Sequence, residues 1–193
     1  MKSYSNSEIV RIIGAGLAGS EAAWQLAESG IRVILHEMRP KKETLVHKSP
    51  FFAELVCSNS FRSHNDKENA VGLLHWEMKK ANGLIMKIAE KNSIPAGDAL
   101  AVNRETFSSE ITNILKSHPF VDIVNEEITN FSSIDDTNII VATGPLTSEK
   151  LTKSILNCSE SNQFFFYDAI SPIVYADSIN FEKAWFQSRY DKG

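Results

Sequence analysis

The 193-residue sequence has little cysteine, no long apolar run and no excess of positive charge. Its two cysteines, Cys57 and Cys158, have unrelated surroundings, so a disulfide scaffold of the secreted type is not expected. No apolar stretch approaches the length of a membrane span, and the first residues, MKSYSNSE, lack the apolar core of a signal peptide. These absences predict a cytoplasmic protein without a membrane partner.

Charge and composition further limit the class of protein and the partners that it can bind. The net charge is −4 and the pI about 5.8, so no global field attracts nucleic acid, and a contact with RNA would need a restricted patch. A hydrophobic content of 42% and a charged content of 23% are ordinary for a globular protein. The length suffices for one sizeable domain, with or without an inserted piece.

The most informative segment is residues 9–40, IVRIIGAGLAGSEAAWQLAESGIRVILHEMRP. Its order of strand, glycine turn, helix, strand and acidic residue is typical of a dinucleotide-binding βαβ unit. Gly14 permits the tight turn, Gly16 leaves room for a pyrophosphate, and Gly19 lets the helix lie close to the sheet. Amide groups and the dipole at the start of the helix favour a phosphate. The predicted phosphate loop comprises Gly14, Ala15, Gly16, Leu17, Ala18 and Gly19.

Glu37, at the end of the second strand, bears on the choice of nucleotide. A carboxylate there can accept hydrogen bonds from both ribose hydroxyls of an adenosine, and it repels a 2′-phosphate. We therefore expect FAD or NAD rather than NADP, an exclusion that Arg39 weakens slightly. A βαβ unit without a ligand is the alternative for this segment.

A second nucleotide signal is residues 137–144, TNIIVATG, typical of a buried apolar strand that ends in a glycine turn. In flavoproteins with two dinucleotide domains, a late strand ending in ATG returns beside the first strand and completes the floor of the cofactor site. We expect the same here, which favours FAD over NAD. The alternative is an ordinary core strand followed by a Gly-Pro turn.

The rest of the sequence predicts a long loop and several short helices and strands. Residues 41–65 read as a long loop in which FFAELVCSNSF can form a short helix and a turn. Helical spacing over residues 68–91 predicts two helices or one kinked helix, with a break at Asn82 and Gly83. Other expected elements are strands at 99–102, 121–124 and 128–131, helices at 104–117 and from Thr147 or Ser148 to about Leu156, and an apolar strand region at 163–175.

The fold class that follows is α/β: a Rossmann-like FAD/NAD(P)-binding fold with a central parallel sheet, incomplete, and with an inserted helical region. We assign residues 1–193 to this one domain, with the inserted loop and helices at about 45–95.

Several longer strings carry a family resemblance: FAELVCSNSFRS, GLLHWEM, PAGDALAVNRETFS, NIIVATGPLTS and FFYDAISPIV. They resemble the folate- and FAD-dependent tRNA (uracil-5-)-methyltransferases of the TrmFO type over nearly the whole chain. The similarity to MnmG-type tRNA-modifying flavoproteins is weaker. The resemblance implies methylation of C5 of a uridine in RNA, with FAD as cofactor and 5,10-methylenetetrahydrofolate and NAD(P)H as co-substrates. The T-loop of tRNA is the expected RNA, and ribosomal RNA is the alternative.

The resemblance also implies roles for individual residues. Cys57 matches the family's cysteine near the flavin, and the chemistry needs a thiolate because uracil C5 is a poor nucleophile until a group adds at C6. Arg62 and His64 would favour that thiolate if they lie near it, whereas a small buried cysteine is the alternative. Cys158 matches no family motif. Residues implied to lie near the cofactor are Arg39, Ser60, Arg62, Asn103, Arg104, Thr143 and Gly144.

Members of this family run to more than twice the present length, and they continue into a second functional cysteine. We therefore expect the FAD-binding N-terminal part of a longer enzyme, inactive alone, or else a truncated FAD-binding paralogue without methyltransferase activity. Either case predicts uncovered apolar faces and sheet edges through which the chain associates.

Overall fold

The computed structural model describes residues 9–44, 46–130, 138–158 and 175–185. The strands are β1 (Ile9–Ile13), β2 (Arg32–His36), β3 (Ser60–Ser63), β4 (Ser93–Ile94), β5 (Ala99–Val102), β6 (Val121–Val124) and β7 (Ile139–Val141). The α-helices are α1 (Leu17–Glu28), α2 (Ala70–Lys80), α3 (Leu84–Lys91), α4 (Arg104–Ser117) and α5 (Glu149–Cys158). Short 3-10 turns cover Gly144–Leu146 and Ala176–Ser178.

A parallel sheet in the order β6-β2-β1-β7 forms the centre of the fold. β1 runs beside β2 from Ile9 opposite Arg32 to Ile13 opposite His36. On its other side β1 pairs with β7, where Arg11 lies opposite Ile139. Parallel neighbours need long crossovers, and α1 supplies the one between β1 and β2. The predicted α/β fold with a central parallel sheet is confirmed, as is the return of the TNIIVATG strand beside β1.

The core lies between one face of this sheet and helices α1, α3 and α4. Ile12, Val33 and Leu35 point into it from alternate strand positions and are completely buried. From α4 come Phe107, Ile111 and Leu115, while α1 contributes the small residues Ala23 and Ala27. Small side chains along α1 let the helix lie close to the sheet, so β1, the glycine turn and α1 form one packed unit.

A second, antiparallel sheet in the order β3-β5-β4 lies outside the parallel one. Helices α2 and α3 lie between β3 and β4 in the chain, and the predicted break between them is confirmed. Asn82 there has a φ of 55°, and the Gly83 N–H donates to Met78 O at 2.9 Å. β3 and β4 were not predicted, because neither SFRS nor the two-residue β4 carries an apolar alternation.

Three local predictions are wrong. FFAELVCSNSF forms no helix, because its amides bond elsewhere: Phe52 N–H donates to Thr112 Oγ1 and Ala53 N–H to Ala15 O, both at 2.8 Å. Residues 128–130 form no strand. β6 pairs with β2, and β2 ends at His36, so the chain beyond β6 has no neighbouring strand there. Residue 131 lies outside the described residues. β7 is not buried, because it forms an edge of the described sheet, and Ile140 and Val141 are 36% and 41% exposed.

The remaining element predictions agree with the structure where it describes them. The strands at 99–102 and 121–124 and the helix at 104–117 have the expected bounds. α5 starts after Ser148, whose Oγ accepts from Leu151 N–H at 3.4 Å. The apolar region at 163–174 lies outside the described residues. None of the helices in the described ranges is long and apolar enough to span a bilayer.

Candidate nucleotide-binding site

The turn between β1 and α1 requires glycine at two positions. Gly14 has a φ of 99°, and a Cβ there would lie 2.8 Å from Ala142 O in the segment after β7. At Gly19 a Cβ would overlap the carbonyl oxygen of Gly14, so the missing side chain lets α1 pack against the turn. The Gly14 N–H donates to His36 O at 2.8 Å, which fixes the turn to the end of β2.

Gly16 differs from its neighbours because nothing in the protein requires it to be glycine. Its φ of −70° and ψ of −168° suit any residue, and a Cβ there would meet no atom within 4 Å. The space above the loop is therefore open. The first bond of α1 runs from Ser20 N–H to Gly16 O at 2.9 Å, and the preceding amides lie outside the helical ladder at the positive end of the dipole. This arrangement fits a pyrophosphate approaching the backbone at Gly16.

Glu37 is only 5% exposed and holds the phosphate loop to the end of β2. Its Oε2 accepts from Ala15 N–H at 3.0 Å, and its Oε1 accepts from the Arg39 N–H and Nε at 3.0 and 2.9 Å. Burial by itself would raise the pKa of the Glu37 carboxyl, but the hydrogen bonds and charge of Arg39, with the Ala15 amide, outweigh it and lower that pKa. Glu37 is therefore ionised at neutral pH and can accept further hydrogen bonds.

Arg39 is 3% exposed and lies between two carboxylates. Besides Glu37, its Nη1 donates to Glu54 Oε2 at 3.1 Å and to Ser49 O at 3.2 Å. Glu54 also accepts from the Lys48 N–H at 2.8 Å, so Arg39 and Glu54 hold the loop that follows β2. The Arg39 guanidinium is therefore paired with two carboxylates, Glu37 and Glu54.

An open cleft lies at the carboxyl ends of β1, β2, β6 and β7. This edge is where open parallel sheets bind ligands. The predicted site residues that line the cleft are Gly14, Gly16, Glu37, Arg39 and Thr143. The structure therefore brings the two nucleotide motifs of the sequence, the glycine loop and the ATG strand, to one cavity. Gly144 follows Thr143 with a φ of 61° and is exposed.

A second group of predicted residues, from positions 57–62 and the start of α4, does not line this cleft. Val102 N–H donates to Asn59 O at 2.8 Å, and Asn59 Nδ2 donates to Val102 O at 3.2 Å, which sets residues 59–60 beside the end of β5, just before α4. There the Asn103 side chain accepts from the Glu105 and Thr106 amides and caps the helix. The predicted members of this second group are Cys57, Ser60, Arg62, Asn103 and Arg104.

Cys57 is exposed and unpaired as a thiol, so the alternative of a buried cysteine is wrong. The Ala53 N–H bonds to Ala15 O in the phosphate loop at 2.8 Å, and Cys57 follows Ala53 by four residues. Its Cα is therefore within about 14 Å of that contact. His64, one of the two predicted sources of positive charge, instead lies 3.1 Å from Glu90 Oε1 and 3.2 Å from His75 Nδ1. Within the described ranges no group of three metal-ligating side chains occurs.

Two histidines in the cleft were missed by sequence reasoning. His36 is 3% exposed, with Nε2 3.1 Å from Arg11 Nη1 and Nδ1 3.1 Å from Glu126 Oε1. Burial, and then the charge of Arg11, lower the pKa of His36 against the opposing effect of Glu126. His47 lines the wall next to Glu37 and Arg39. Neither has a spacing that marks it in the sequence; a histidine that ends an apolar strand before an acidic residue was the only available signal.

The family model of the glucose inhibited division protein A matches residues 9–193. The chain belongs to this family. A solved structure, GidA of Aquifex aeolicus in the form II crystal, aligns with 66% of this chain and 21% of its own, with a TM-score of 0.51 and 16% identity. This likeness confirms the Rossmann-like fold. At 16% identity it shows the fold and not the function.

Curated relatives that share a name are much closer in sequence. The methylenetetrahydrofolate--tRNA-(uracil-5-)-methyltransferase TrmFO of Cereibacter sphaeroides is 55% identical over 187 residues, 97% of this chain and 42% of that protein. Proteins of the same name from Rhodopseudomonas palustris and Nitrobacter hamburgensis are 54% and 56% identical, over 96% and 95% of this chain and 39% and 38% of theirs. The resemblance in the sequence motifs is confirmed. The chain spans about two fifths of the length of these relatives.

Proposed function

We propose that this chain binds FAD and provides that site for the folate-dependent methylation of uridine C5 in tRNA. The observation that carries the proposal is the contrast within the glycine loop. Gly14 and Gly19 are required by the protein's own packing, whereas no protein atom lies within 4 Å of the position that a Cβ on Gly16 would occupy. A loop of this form with an ionised carboxylate at the end of β2 fits the diphosphate and ribose of a dinucleotide.

The residues of the cleft fit the ADP half of FAD, with one group of residues for each part of the nucleotide. The amides at Gly16, Leu17 and Ala18 face the pyrophosphate, and Glu37 accepts from the ribose hydroxyls. Arg39 keeps Glu37 ionised, and Thr143 lines the cleft from the end of β7. We assign the flavin end to the second group, with Ser60, Arg62, Asn103 and Arg104 along it. When bound there, FAD supplies the redox chemistry that converts a methylene unit into a methyl group.

The name of the relatives supports the reaction, and Cys57 is the residue that we assign to its covalent step. Its thiolate forms a bond to C6 of the uridine, which makes C5 nucleophilic toward the one-carbon unit; the thiolate leaves when C5 loses its proton. We propose 5,10-methylenetetrahydrofolate as the carbon donor, NAD(P)H as the reductant, and tRNA rather than ribosomal RNA as the substrate. An exposed thiol near the phosphate loop has the access that this step requires.

The cofactor claim is tested by flavin absorbance and by quenching of flavin fluorescence on titration with the purified chain. We expect a visible flavin spectrum, or binding of added FAD with a measurable Kd. A chain that is folded by circular dichroism and yet does not bind FAD contradicts the proposal.

The reaction claim is tested by transfer of label from methylenetetrahydrofolate to RNA, with the 193-residue chain and with a version extended by the remainder of a relative. Cys57→Ala should abolish transfer, while Cys158→Ala, the matched exposed cysteine, should leave it unchanged. Parallel reactions with tRNA, ribosomal RNA, NADH and NADPH decide the finer assignments. FAD binding without transfer in either version supports the truncated paralogue instead.

A further inference from the structure

His47 stands on the wall shared by the nucleotide cleft and a neighbouring groove. On the cleft side it lies with Glu37 and Arg39, and on the groove side with Glu43 and Thr44. Its Nδ1 is 2.6 Å from Thr44 Oγ1, and Thr44 lines the groove but not the cleft. Nδ1 is therefore occupied on the groove side, and Nε2 is the ring nitrogen that remains for a ligand in the cleft.

The Thr44 contact engages Nδ1 of the ring. Thr44 Oγ1 accepts the backbone N–H of His47 at 3.1 Å, and its hydroxyl can still either donate to Nδ1 or accept from it. Burial, followed by the charge of Arg39, lowers the pKa of His47, which keeps the ring neutral at pH 7. The neutral tautomer in which the Thr44 hydroxyl donates to Nδ1 makes Nε2 a hydrogen-bond donor, and the role proposed below uses this tautomer.

The loop that carries His47 is held in place on its C-terminal side. Glu54 accepts from the Lys48 amide at 2.8 Å and from the Ser49 amide at 3.2 Å, and Arg39 donates to Ser49 O. These bonds begin at the residue after His47. The imidazole is thus presented by an anchored segment next to Glu37, as a binding residue requires.

A ribose next to Glu37 needs a donor as well as an acceptor. Each ribose hydroxyl both donates and accepts, but an ionised Glu37 can only accept. Three donors near it, the Ala15 amide and the Arg39 amide and Nε, already bond to the carboxylate itself. We propose that His47 is a ribose-binding residue, whose Nε2–H donates to a ribose hydroxyl of the adenosine that Glu37 binds. This assignment rests on the nucleotide site proposed above.

The test measures binding of ADP, 2′-deoxy-ADP and 3′-deoxy-ADP by calorimetry. The proteins compared are the wild type, His47→Ala, His47→Gln and Lys48→Ala, an exposed neighbour on the same loop that does not line the cleft. Loss of one neutral hydrogen bond weakens binding by about threefold to tenfold. We expect that loss for ADP with His47→Ala, but no further loss for the deoxy analogue that lacks the contacted hydroxyl. His47→Gln, which can place an N–H near the same point, should recover part of the affinity.

The outcomes separate this inference from the proposed function. A wild type that binds neither ADP nor FAD contradicts the nucleotide site and the role of His47 with it. Wild-type binding that His47→Ala leaves unchanged contradicts only the role of His47. An equal loss for all three ligands, with Lys48→Ala unaffected, also overturns the ribose contact, since removal of His47 would then act through the loop or another part of the nucleotide.

Discussion

Gly16 and Gly19 lie in one loop, but adding a side chain has opposite consequences at the two positions. Gly16→Val places its Cβ where no protein atom lies within 4 Å, so we expect an unchanged melting temperature. The same atoms occupy the path of the pyrophosphate, and FAD affinity should fall by at least about tenfold. Thermal melting and FAD titration of the same samples measure both effects.

Gly19→Ala, in the same loop, should have the opposite effect and destabilise the fold. The added Cβ would overlap the Gly14 carbonyl, which is backbone and cannot rotate away, so α1 must shift from β1. We expect a loss of about 3 kcal/mol in the free energy of unfolding, measured by urea denaturation. If Gly16→Val is destabilised as much as Gly19→Ala, the space above Gly16 is not open and the phosphate site is contradicted.

The Glu37 carboxyl predicts a particular dependence of stability on pH. Its pKa is lower in the folded chain than its ordinary value of 4.5, so its contribution is present above pH 4.5 and is lost as the pH falls through the folded pKa. Glu37→Gln removes one of the two carboxylate partners of Arg39 and should cost about 1 to 3 kcal/mol at pH 7. Urea unfolding at pH 7 and pH 3.5 should show the gap between wild type and variant narrowing in acid. A gap that is constant with pH would show that the Glu37 charge does not contribute.

At the scale of elements, the sequence predicts structure that depends on neighbouring residues and misses structure that depends on distant contacts. β1, α1 and β2 follow from apolar runs around a glycine turn, and these signals lie within neighbouring residues. The path of residues 51–57 does not, because it depends on amides that reach Thr112 and Ala15 in distant parts of the chain. The same is true of the site residues. Gly14, Gly16 and Glu37 were predictable because their spacing is fixed, whereas His47 was missed because it lines the cleft through a loop anchored by Glu54.

The position of α2 depends on a close approach that a single methyl group would prevent. A Cβ at Gly72 would overlap the backbone carbonyl of Asn65, which follows β3. Gly72→Ala should therefore loosen α2 against this segment, and its amides should exchange with solvent at least about tenfold faster in hydrogen-exchange measurements. FAD affinity should stay unchanged, because neither residue lines the nucleotide cleft. Protection of α2 equal to that of the wild type would contradict this packing.

At the scale of the whole molecule, we expect the edge of the parallel sheet to determine whether the chain associates. β7 is an edge strand within the described ranges, and its Ile140 and Val141 are 36% and 41% exposed. Unpaired backbone groups with apolar side chains favour pairing with another chain, and a lysine on such an edge opposes it. We expect the 21.5 kDa chain to associate as its concentration rises, and Val141→Lys to shift it toward the monomer in sedimentation velocity. Val141→Thr keeps the β-branched shape without the charge and should associate nearly as the wild type does. A wild type that remains monomeric at all concentrations would show that this edge is covered, and equal association of the lysine variant would place the contact elsewhere.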